Sequence, residues 1–192
     1  MGTSGSSFGA PCRTCDTDAG GLKDVSLVVS NFPAAKDWLL AGQSVYHTSI
    51  VLVETEYYFS TTGLQALPVQ SMSKPGSHAP MTNTKVTSVG KTKKSGPDLV
   101  NCLRAYFAAG SYDHIAKNCN SFTDCALAFL ISRRLPKALR RMEQLGKDNP
   151  NMVAIASNGR YKPNPKAKDF DLEKVVLKVD ANAWMGTTEL KL

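Results

Sequence analysis

Cys119 stands between two asparagines, Asn118 and Asn120, at the start of a run that reads as a helix. A thiol in that place has a physical advantage. The unpaired backbone N–H groups and the positive end of the helix dipole favour thiolate over thiol. The thiolate is the nucleophilic form, and the same donors can hold the oxyanion that develops when a carbonyl is attacked. Asn118 and Asn120 are the candidates to cap the helix and to stand at that oxyanion site. An imidazole completes such a unit by taking the thiol proton and returning it to the leaving group. The chain holds three histidines, His47, His78 and His114. His47 falls in a β-branched run, a rigid support for a base. His78 lies in a Ser/Gly/Pro stretch and reads as exposed. His114 is five residues before Cys119, and spacing alone does not choose between it and His47. The plainer readings are a small buried cysteine and a hydrogen-bonded structural histidine.

The elements that must position these groups follow from apolar periodicity. Residues 25–30 (VSLVVS) read as a strand and 33–42 as a helical turn. Residues 45–59 alternate, with Val45, His47, Ser49, Val51 and Val53 on one face and Tyr46, Thr48, Ile50 and Leu52 on the other. The run is long enough for a strand and the start of its hairpin partner. Residues 65–97 read as loops with one or two short strands, for example at 85–89. Residues 98–109 are helical in pattern, with a stop at Gly110. Residues 118–131 read as an amphipathic helix, with Phe122, Ala126, Phe129 and Leu130 on one side. Pro136 interrupts it, 137–145 continues as a basic helix, and 146–150 closes that helix. Residues 175–179 (VVLKV) read as a late strand.

Length and composition set the frame. A chain of 192 residues with 42% hydrophobic and 20% charged residues can bury one sizeable core. The organisation predicted is a Gly/Ser-rich tail over 1–22, a folded domain over 23–148 and a C-terminal extension over 149–192. No stretch approaches the roughly 18–20 apolar residues that cross a bilayer. No charged n-region precedes an apolar h-region, so the reading is a cytoplasmic protein, also nuclear or membrane-associated, with free thiols. Five cysteines is an odd count and cannot all pair within one chain. Cys102 and Cys125 read as packing residues. Cys12-x-x-Cys15 is half of a zinc site with no second pair, so no metal and no cofactor is expected. The start, Met1-Gly2-Thr3-Ser4-Gly5-Ser6, fits the N-myristoylation pattern, and Cys12 and Cys15 would be natural palmitoylation sites. Together they would attach the chain peripherally to a membrane; the plainer reading is an unmodified tail. The formal charge of +7 favours acidic partners. Arg133, Arg134, Lys137, Arg140 and Arg141 read as a solvated face, or more weakly as a dock for an acidic protein patch. No aromatic interleaving accompanies them, so no nucleic-acid partner is expected.

Two blocks of residues carry a resemblance. The first is Tyr46-His47-Thr48-Ser49-Ile50-Val51 followed by Glu56-Tyr57-Tyr58-Phe59 and Gly63-Leu64. The second is Tyr112, Asn118-Cys119-Asn120, Phe122, Phe129-Leu130 and Leu135-Pro136, with Gly90 and Thr92 between the blocks. Over about residues 25–142 the chain resembles the PPPDE peptidase family, the DeSI-type desumoylating isopeptidases. The resemblance implies an α+β, circularly permuted papain-like fold, a small antiparallel sheet or barrel packed with helices. It implies a Cys-His dyad, with His47 as base and Cys119 as nucleophile. It implies ubiquitin or SUMO conjugates as substrates of an isopeptidase, or S-acylated proteins as substrates of a thioesterase. A binding module that keeps the fold without activity is the remaining alternative. The family includes dimers, so a homodimer is an arrangement open to this chain. Ser60–Thr62 replace a Gly that many members carry after the Phe, the stretch 68–84 is longer, and the C-terminal extension has no counterpart. Those departures bear on substrate choice, which loops on a rigid scaffold usually set.

Overall fold

A computed structural model describes residues 21–31, 45–69, 82–180 and 188–192. The readings at Gly2, Cys12, Cys15, His78 and residues 33–42 lie outside the described residues.

The runs read as strands at 25–30 and 45–59 form β1 (Lys23–Asn31), β2 (Tyr46–Leu52) and β3 (Thr55–Ser60). β4 (Gly63–Pro68), with no β-branched residue, falls largely in the stretch read as loop, and β5 (Thr82–Thr92) contains the strand expected at 85–89. These build one antiparallel five-stranded sheet in the order β4-β3-β2-β1-β5. The sheet is open, so of the two expected forms it is the sheet and not the barrel. β5 is longer than the strand expected at 85–89, because β1 offers it a partner along most of its length. Gly63 opens β4 at φ 97°, and a Cβ there would sit 2.9 Å from the Ala109 backbone nitrogen. Glycine is required at that corner both by its dihedral and by the close approach. Leu64 N–H donates to the Phe107 carbonyl and Gly110 N–H to Thr61, stitching the β3–β4 hairpin to the loop that leads toward Cys119.

One face of the sheet, with Val25, Leu27, Ile50, Leu52, Tyr57 and Phe59, packs on helices α1 (Gly96–Leu103) and α2 (Cys119–Ile131). The helix expected over 98–109 starts earlier and ends earlier. Ser95 and Asp98 close a reciprocal capping box with Pro97 in the first turn. After Leu103 the chain turns, which carries Phe107 into the core by a loop.

α2 is not amphipathic. Every residue from Cys119 to Leu130 is buried, as expected of a helix covered on all sides. The missing cover comes from the chain's end. The strand expected at 175–179 is a helix, α5, here numbered after α3 (Arg141–Asp148) and α4 (Pro150–Ala156) and spanning Leu172–Val179. Leu172, Val175, Val176 and Val179 recur at helical spacing and join the core over α2. Asp171 caps the helix. The β-branched composition suggested a strand, but tertiary packing decides.

The basic segment is also reorganised. After α2, Ser132 turns left-handed (φ 51°), β6 (Arg133–Arg134) pairs with β7 (Thr188–Glu189), and a 3₁₀ turn, Lys137–Arg140, precedes α3. α3 ends inside 146–150, as expected; Gly146 itself lies within the helix, where a Cβ would meet Ile115 Cγ2 at 2.7 Å. Nor are all five basic residues a solvated face. Asp124 is fully buried in α2 and accepts from Arg134 Nε at 3.0 Å and Nη2 at 2.7 Å, and from the Leu135 N–H at 2.6 Å. Arg140 adds a third cationic contact at 3.2 Å. A carboxylate shut from water needs its countercharges beside it, so two of the arginines turn inward. Arg134 also grips Glu173 of α5. Cys102 and Cys125 are buried in the core and form no disulfide.

Candidate active site

Cys119 is the first residue of α2. Asn118 caps the helix: its side-chain oxygen accepts from the Ser121 N–H at 3.1 Å, and Ser121 Oγ accepts in return from the Asn118 N–H. The loop before it is held by Asp113, whose carboxylate accepts from the Ile115 and Ala116 N–H groups, the Tyr161 hydroxyl and the Asn164 N–H. Burial works to raise the Asp113 pKa, but these four donors outweigh it and hold the carboxyl below its usual range. Residues beyond 158 thus help shape the approach to the thiol.

β2 supplies the other side. β3 pairs with β2 only over Ile50–Leu52, and closer to the start of β2 the strands diverge. There the Thr48 N–H is directed at the Cys119 sulfur. Asn120 spans the same gap. Its amide nitrogen donates to the Tyr46 carbonyl at 3.2 Å, and its oxygen accepts from Thr48 Oγ1 at 2.8 Å. Tyr46 and Thr48 are the two neighbours of His47. The residue after Cys119 is therefore bonded to both residues that flank the strand histidine. The His47 ring packs edge-to-face with Tyr58, centroids 6.2 Å apart. His114 is close as well: its carbonyl accepts from Asn118 Nδ2 at 2.9 Å and its ring packs edge-on against Tyr112.

The sulfur has three donors around it: the Thr48 and Asn120 N–H groups and the Tyr112 hydroxyl at 3.9 Å. Burial nonetheless wins. The Cys119 thiol is pushed up to about 11, first by burial and then by the negative charge of Glu143. The helix mouth alone does not make a resting thiolate here. Burial and the adjacent thiol likewise push Tyr112 well above its usual range, so it stays a donor. We expect alkylation of Cys119 by iodoacetamide, followed by mass spectrometry, to keep accelerating as pH rises toward about 11. A plateau reached near neutrality would instead mean a preformed thiolate.

Sequence reasoning missed Glu143. It stands in what reads as a basic helix, yet it is buried, and its Oε1 accepts from both Asn118 Nδ2 and Asn120 Nδ2 at 2.6 Å each. The Asn118 and Asn120 amides are thus engaged by Glu143, with the Tyr46, His114 and Leu139 carbonyls as further acceptors. An acidic residue on the inward stripe of Met142, Glu143 and Gly146 is the only sequence signal for it. Lys117 was also missed; it is buried beside the rings of Phe59, Phe107 and Phe170, donates to Ser111, and burial lowers its pKa.

The model of the PPPDE putative peptidase domain matches residues 23–158. The chain belongs to that family. Among curated proteins, this PPPDE protein is similar to human desumoylating isopeptidase 1, 26% identical over 98 residues. The alignment spans 49% of this chain and 55% of the human protein, about half the length of each. The matched domain runs from β1 through α4 and leaves α5 outside, although α5 packs on the helix that carries Cys119.

Proposed function

We propose that this PPPDE protein is a cysteine isopeptidase that cleaves SUMO or ubiquitin conjugates, with Cys119 as nucleophile and His47 as general base. The observation that carries the reading is the bonding of Asn120 and Cys119 to the strand residues on either side of His47. A thiol at about 11 needs a base at the moment of attack, and an imidazole on the strand to which its helix is bonded is suited to that work. His47 takes the Cys119 proton as sulfur adds to the isopeptide carbonyl. The carbonyl oxygen becomes the oxyanion, facing the N–H groups of the first turn of α2 and the Tyr112 hydroxyl. Collapse breaks the C–N bond, His47 protonates the departing lysine amine, and a thioester to Cys119 remains. Water then loses a proton to His47, adds to the thioester and releases the carboxylate, returning the thiol.

One feature favours the isopeptidase over thioesterase action: Cys119 is only 5% exposed, an access suited to a Gly-Gly tail that carries no side chains. The human relative's name adds SUMO as the first substrate to test. Labelling with SUMO, ubiquitin and palmitoyl electrophilic probes, followed by peptide mapping, is expected to place the SUMO adduct on Cys119. Labelling of Cys119 by the palmitoyl probe alone would move the assignment to thioesterase.

A further inference from the structure

We propose that Glu143 is a positioning residue that clamps the backbone on both sides of Cys119 and, through Asn120, ties it to the strand carrying His47. The inference rests on the proposed roles of Cys119 and His47. One oxygen does the holding. Glu143 Oε1 accepts from Asn118 and Asn120 at 2.6 Å each, and the nucleophile lies between those two residues. Asn120 passes the constraint on, because it also bonds Tyr46 and Thr48. A single carboxylate on α3 thereby reaches both partners of the dyad through one intermediate side chain. Short bonds from two buried amides to one carboxylate oxygen are geometrically demanding, and such constraint suits a pair that must meet within a few tenths of an ångström.

The arrangement carries an electrostatic consequence. Glu143 is itself raised, chiefly by burial, with the Asn120 and Asn118 bonds and Arg140 pulling the other way. Its negative charge in turn works against ionisation of the Cys119 thiol. Tyr112 from the preceding loop also faces the sulfur, and Arg140 faces Glu143 from the 3₁₀ turn.

Two variants test this. Glu143→Leu removes the clamp and is expected to lower kcat on a SUMO conjugate at least about tenfold with little change in KM, as misplacement of reacting groups does. Glu143→Gln keeps an oxygen acceptor without the charge. It is expected to recover much of the lost kcat and to move the midpoint of Cys119 alkylation to lower pH. Parental kcat in Glu143→Leu overturns the proposal. If Glu143→Leu fails to fold, Glu143→Asp, whose shorter side chain draws the acceptor back from both amides, takes its place, and parental kcat there overturns it. Alkylation needs no substrate. A parental protein that labels at Cys119 but turns over no conjugate defeats the isopeptidase reading, whereas parental kcat in the variant that opens the clamp defeats only the clamp.

Discussion

Cys119→Ala is expected to abolish turnover of a fluorogenic SUMO conjugate, and His47→Ala to lower kcat by about 10²–10⁴-fold, the usual worth of a positioned base. The two losses have different origins. Without the sulfur no acyl-enzyme forms. Without the imidazole the nucleophile remains but stays protonated, because a thiol near 11 is ionised in only about one molecule in ten thousand at neutral pH. Raising the assay pH should therefore restore part of the His47→Ala rate and none of the Cys119→Ala rate. His114→Ala serves as the comparison. Its ring lies against Tyr112, and the bonds that tie α2 to β2 run through the neighbours of His47. Steady-state kinetics on the three variants decides the roles. Parental rates in both Cys119→Ala and His47→Ala would remove the dyad, and a loss confined to His114→Ala would pass the base to that residue.

Asp124→Ala is expected to cost about 3–5 kcal/mol of stability, the range seen when one partner of a buried ionic group is removed. Asp124 is fully buried, and its carboxylate is met by Arg134, by Arg140 and by the Leu135 N–H. Deleting it leaves two guanidinium groups, 14% and 17% exposed, facing each other without the anion between them. Urea unfolding should show the loss as a lower midpoint at similar slope. Glu173→Ala provides the contrast. Its side chain is 64% exposed, so its bond to Arg134 should contribute no more than about 1 kcal/mol. A loss of that smaller size in Asp124→Ala would mean the arginines find other partners.

The strands and the helix at Cys119 were legible because local pattern and tertiary demand agree there. Residues 45–59 alternate, and the sheet uses that alternation; the Asn before Cys119 is a strong cap, and it caps. What stayed hidden depends on distant partners. Residues 175–179 carry β-branched residues at spacings that serve either period, and only the bare flank of α2 settles them as helix. Arg134 and Arg140 look like any surface cations until Asp124 is seen to be buried. Glu143 is one acid in a basic stretch, and its bonds run to two asparagines 25 and 23 residues upstream. The protonated state of Cys119 was likewise illegible, since the benefit of a helix mouth is a local property and the cost of burial is set by everything packed around it.

The helix Leu172–Val179 has a bearing on how this protein can be handled. It acts as a lining sewn onto the back of α2, with Leu172, Val175, Val176 and Val179 as the stitches. Trimming the chain to the family-matched stretch would strip that lining and present a bare greasy ridge to water, on the very rod whose tip bears the nucleophile. The smallest piece that keeps its shape is thus longer than the piece by which its kin are known.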